Sequence, residues 1–127
     1  MVDQLAMLGF QLDRVETRDG SEVYRLDTPF LLDNEFTFDI FVEWKDGDLH
    51  LFDEGLTWHS IWAVGYRLNE ENFKRYRDFM QENGVTVGDD AVLSLSGLQT
   101  DAQDVVARYL TACVLLDKNA RKMFTYV

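Results

Sequence analysis

The chain has 127 residues, 46% hydrophobic and 13% aromatic, with eight glycines and one proline, which excludes a disordered tail and fits one ordered domain over 1–127. Twenty-three acidic against twelve basic side chains leave a formal net charge of −11, and this disfavours direct nucleic-acid binding, because displacing counterions from phosphates needs Lys and Arg. The single cysteine, Cys113, excludes an intramolecular disulfide, and without a charged leader or an apolar span the expected setting is a reducing cytoplasm, with no membrane contact.

Val2 to Leu8 predicts a short helix, with Asp3 near its positive end and Gly9 as a stop. Gln11 to Glu16 and Glu22 to Asp27 flank Arg18-Asp19-Gly20-Ser21, and the Asp-Gly pair marks a β-hairpin. Thr28-Pro29-Phe30 breaks the pairing, since proline cannot donate to a ladder. Glu35 to Trp44 alternates as a strand, with Phe36, Phe38, Ile40, Val42 and Trp44 on one face and Thr37, Asp39 and Glu43 opposite; Phe41 interrupts the polar face. After the turn Lys45-Asp46-Gly47-Asp48, the strand Leu49 to Phe52 completes a second hairpin.

Leu56, Ile61, Trp62 and Val64 are spaced for a short helix ended by Gly65. A longer helix starts from Asn69 as N-cap, puts Glu70 and Glu71 in its positive first turn, and buries Phe73, Tyr76, Phe79 and Met80 before Asn83-Gly84. Its Lys74, Arg75 and Arg77 read as a solvated face. Val85 to Val87 and Ala91 to Leu95 are short strand pieces closed by Gly97. The last helix runs from Thr100, its expected N-cap, to Met123, with Val105, Val106, Tyr109, Leu110, Cys113 and Leu116 inward. The expected fold class is α+β: an antiparallel sheet of two hairpins plus a short extra strand, packed against three to four helices.

The densest charge lies between residues 33 and 54. Asp33, Glu35, Asp39, Glu43, Asp46, Asp48, Asp53 and Glu54 stand against Lys45 alone, so this stretch carries −7 of the net −11. Asp39 and Glu43 share a strand face and Asp46 and Asp48 flank its turn, so these eight are the candidate binding residues. A carboxylate field of this kind resembles a phosphate backbone to a basic protein. It also reads as a solvated face that guards a sheet edge. A metal-assisted hydrolase using His50, Asp53, Glu54 and His59 is the alternative chemistry, although the spacing matches no recognised ligand pattern; no catalytic residue, metal or cofactor is assigned. More simply, Asp53-Glu54-Gly55 makes a turn and caps the helix at Leu56. Trp44, Trp58 and Trp62 read as core aromatics, since no Lys or Arg surrounds them as a base-stacking platform requires.

Thr28-Pro29-Phe30, the acidic hairpin, Leu51-Phe52-Asp53-Glu54-Gly55-Leu56-Thr57, Gly65-Tyr66 and Asn83-Gly84-Val85 together resemble a prokaryotic and phage family, domain of unknown function 1828, over Asp27 to Leu95. In that family an Asp-Asp-Gly turn is the most recognisable element, matched here by Asp53-Glu54-Gly55. The resemblance implies a mobile-element or prokaryotic setting and no assigned activity.

The expected function is a non-catalytic acidic binding protein that occupies a basic surface of a nucleic-acid-handling bacterial defence complex, such as a CRISPR effector or another nuclease, in the manner of anti-CRISPR inhibitors. A structural or regulatory homo-oligomer, such as a homodimer, with Trp58 and Trp62 at a self-interface is the remaining alternative.

Overall fold

The computed structural model describes residues 11–15, 17–19, 21–27 and 39–125. The helix expected at Val2 to Leu8, the break at Thr28-Pro29-Phe30 and the first part of the strand expected from Glu35 lie outside the described residues.

Strands β1 (Gln11–Val15) and β2 (Val23–Asp27) form the first hairpin, and β3 (Ile40–Lys45) and β4 (Asp48–Phe52) the second. The second turn has φ of 54° at Asp46 and 82° at Gly47. Positive φ at both central residues gives the primed turn whose twist matches the strands, which is why an Asp-Gly pair stands there. β2 also pairs with β3, so both hairpins belong to one antiparallel sheet, ordered β1-β2-β3-β4-β6-β5.

Helices α1 (Leu56–Ala63), α2 (Glu70–Glu82) and α3 (Ala102–Met123) supply the second layer. Ile40, Val42, Leu49, Leu51 and Leu93 on the inner sheet face share one core with Ile61 of α1, Tyr76 and Met80 of α2, and Val105, Tyr109 and Leu116 of α3. Each such side chain contributes roughly 1.5–3 kcal/mol by leaving water. The α+β architecture of the sequence reading is therefore present. So is the Asn69 cap of α2, whose Oδ1 accepts the Asn72 N–H at 2.8 Å.

Two boundaries differ from expectation. The extra strand does not close at Gly97: β5 is only Thr86–Val87, and β6 runs from Leu93 to Leu98 as the partner of all of β4. Gly97 sits inside that strand because helix α3 lies directly over it; a Cβ there would meet Val105 Cγ2 at 2.4 Å. The last helix is not capped by Thr100, because a 3-10 turn over Gln99–Asp101 precedes it. The Gln99 N–H stays bonded to Gly47 O at 3.0 Å, which carries the sheet ladder up to the residue just before the expected cap.

The segment that follows α3 is tied back to α2 by Asn72, which is fully buried. Its Nδ2 donates to the carbonyls of Arg67 (2.9 Å) and Thr125 (3.1 Å), and its Oδ1 accepts the Thr125 N–H at 3.1 Å. Phe124 packs beside Tyr66, ring centroids 5.5 Å apart.

Candidate functional site

The registers place the acids. On the sheet face opposite the core, Val23, Glu43, His50 and Ser96 form one row across four strands, and Arg25, Phe41, Phe52 and Ser94 form another. A third row holds Lys45, Asp48 and Leu98. Glu43 and Asp48 are thus on the same outer face, as alternation requires. Phe41, the residue that interrupted the polar pattern, stacks on Phe52 at 5.6 Å.

The eight candidate residues do not make one patch. Asp33 and Glu35 lie outside the described residues. Asp39 stands just before β3 and forms an ion pair with Arg25 Nε at 3.8 Å. Glu43 is half-buried in the middle of the face, while Asp46 and Asp48 stand at the β3–β4 turn. Glu54 is exposed at the opposite end of β4, in the left-handed conformation with φ 58°.

Asp53 is not on the surface at all. It is 0% exposed, and its carboxylate accepts three backbone N–H groups: Gly55 at 2.9 Å and Leu93 at 2.7 Å on Oδ1, and Thr57 at 3.0 Å on Oδ2. The physical reason is an orphan-donor problem. A helix leaves its first N–H groups unpartnered, and α1 begins directly after a tight turn beneath the end of β6. One buried carboxylate meets both the helix start and the strand end, so the assignment of Asp53 to an outward binding face is corrected to a scaffold role, the turn-and-cap reading.

The hydrolase constellation does not assemble. His50 points from the outer face, its Nδ1 2.6 Å from Ser96 Oγ, whereas the Asp53 carboxylate is directed into the core. His59 is exposed on α1 beside Trp62, ring centroids 5.8 Å apart. Among the described residues no three His, Cys, Asp or Glu side chains come together as a metal site would require. Cys113 is buried, and burial, reinforced by the Asp53 charge, pushes its thiol far above the ordinary range, the reverse of an activated nucleophile.

The tryptophans divide. Trp58 packs on Tyr76 and Phe73, both with centroids at 5.2 Å, and Trp44 meets Tyr24 edge-on at 5.6 Å, so both are packing residues. Trp62 is 56% exposed, one turn of α1 beyond the half-buried Trp58. Lys74, Arg75 and Arg77 all have acidic partners, in Asp78, Glu71 and Asp89, and Arg77 also lies over the Phe73 ring at 4.7 Å.

What the residue-by-residue reading missed is the company kept by Asp46 and Asp48. Because Gln99 N–H is bonded to Gly47 O and Leu98 lies opposite Asp48, the turn abuts the 3-10 turn Gln99–Asp101 that leads into α3. Asp104 pairs with Arg108 at 3.1 Å, and Asp46 and Asp101 are exposed. Leu98, directly opposite Asp48, is 59% exposed. The signal available in the sequence was the alternation Leu93-Ser94-Leu95-Ser96, which runs past Leu95, the point assigned as the strand end, whereas Leu98 falls on the side of the serines.

No helix among the described residues is long and apolar enough to cross a membrane. No protein-family model, curated protein or solved structure matches the chain.

Proposed function

We propose that this chain is a non-catalytic acidic binding protein that docks on a basic protein surface, of the kind that otherwise holds nucleic acid, with bacterial defence effectors such as CRISPR nucleases as the class to try first. The observation that supports this reading is the turn end of the sheet, where the Gln99–Gly47 bond sets the turn bearing Asp46 and Asp48 against the segment bearing the exposed Leu98 and Asp101, on a body of net charge −11. Carboxylates held on a rigid turn and a helix entry lose little freedom on binding and steer basic partners through their field.

Capture of bacterial proteins on the immobilised chain tests it, at low salt and again near 1 M, where the screening length falls to about 3 Å. The expected result is a basic nucleic-acid-handling protein retained at low salt, displaced by a single-stranded oligonucleotide, and lost when Asp46, Asp48 and Asp101 are all changed to Lys. A partner that ignores salt, oligonucleotide and the triple substitution would reject the reading.

A further inference from the structure

Strand β6 is paired unevenly. Its inner side faces β4 along residues 94–98, but its outer side meets β5 only at Ser94 and Leu93. The phase of this edge follows from the flanking hydrogen bonds. Gln99 N–H donates to Gly47 O at 3.0 Å and Asp53 N–H donates to Leu93 O at 3.3 Å, so the odd-numbered residues of this stretch turn their peptide groups toward β4. On the other side Gly88 N–H donates to Val92 O at 3.0 Å. Antiparallel pairing alternates strictly, so Ser94, Ser96 and Leu98 direct their N–H and C=O groups outward. Ser94 meets Thr86; Ser96 and Leu98 face no strand among the described residues.

This rim also lacks the protection that sheet edges usually carry. The opposite edge, β1, bears Asp13 and Arg14, whereas residues 95–98 bear no charge and end in the exposed Leu98. The surroundings of the rim are acidic: Asp48 lies across from Leu98 on β4, Asp46 in the adjoining turn, and Asp101 in the 3-10 turn that follows. A second copy of this chain is a poor occupant, because two such rims would bring like charges together on bodies that each carry −11.

We infer that the outer edge of β6 at residues 96–98 is a strand-addition site for an extended segment of a basic protein, in which apolar side chains alternate with Lys or Arg. The inference rests on the binding reading above and gives it a location. The incoming segment continues the line of β5, exchanges backbone hydrogen bonds with Ser96 and Leu98, covers the Leu98 side chain, and brings cations to Asp48 and Asp101. Main-chain bonds supply the affinity, and the acids select the partner's charge.

Leu98 makes the idea testable. Its φ is −67°, close to the value proline imposes, and its N–H points away from β4, so Leu98→Pro removes a rim donor without opening the ladder. The probe is a labelled peptide of alternating Lys and Val, titrated into the full chain by fluorescence anisotropy, with amide exchange followed by NMR. Binding should slow exchange of the Ser96 and Leu98 amides, and Leu98→Pro should weaken it about tenfold. Peptide binding that leaves those two amides exchanging as before would overturn strand addition while sparing the acidic reading. Failure of this peptide and of oligolysine alike to bind would overturn both. The exchange measurement on the unsubstituted chain decides the matter even if the proline variant misfolds.

Discussion

At the β3–β4 turn Asp46 is exposed and Asp48 half-exposed, while at the other end of β4 Asp53 is fully buried and takes three main-chain N–H groups. The two ends belong to one run of acids, and nothing in composition separates them. Their fates differ because of the backbone around them. The Asp46-Gly47 turn joins two strands that satisfy each other, so its carboxylates have no internal task. The Asp53-Glu54-Gly55 turn joins a strand to a helix, with φ positive at Glu54 and Gly55, and leaves donors that only a buried acceptor can meet.

The comparison breaks most visibly at Asp53. Replacing it with Ala should lower stability by about 3 kcal/mol or more, since buried donors at a helix start and a strand end lose a charged acceptor together. Urea unfolding measures this, and a loss under about 1 kcal/mol would mean the carboxylate is not a scaffold element. Next in size, Gly97→Ala should cost about 1–3 kcal/mol by driving a methyl into Val105. Val105→Ala in the same chain should return part of that, which a double-mutant cycle would read.

Alkaline conditions probe the core behind Asp53. Burial raises Cys113 above its ordinary 9.0 and raises Tyr76 and Tyr109 well above 10.0, so each is held neutral in the folded chain. A raised folded value means that the stabilisation is complete below the unfolded value and is lost as pH climbs past it. Melting temperature should therefore hold near neutrality and fall above pH 9, starting with Cys113. Cys113→Ala should remove the earliest part of the decline. The smallest effect belongs to the turn. Asp46→Asn with Asp48→Asn should leave stability within about 0.5 kcal/mol while weakening capture of a basic partner. A large loss of stability there would erase the distinction between the two ends.

Most of the fold was legible. Alternation over Ile40 to Trp44, broken only by Phe41, and over Leu49 to Leu51 identified the buried face, and Asn69 with Glu70 and Glu71 marked the start of α2, because those cues act within a few residues. The extent of β6 was not, since Gly97 reads locally as a breaker and only the approach of Val105 from α3 explains it. The candidate surface was half legible for the same reason. Asp46 and Asp48 could be paired by their turn, but Asp101 joins them through the contact of Gln99 with Gly47, which no local pattern announces. Asp53 was assigned by charge density, a property blind to burial, although its place before a helix had also suggested a cap.

The clamp made by Asn72 has a dynamic consequence. Arg67 and Thr125 are joined both through that side chain and directly, the Arg67 N–H donating to Thr125 O at 3.0 Å. Phe124 and Thr125 after α3 and the connection between α1 and α2 are therefore one opening unit, and the amides of Arg67 and Thr125 should exchange with deuterium at a common rate, in a single local unfolding event.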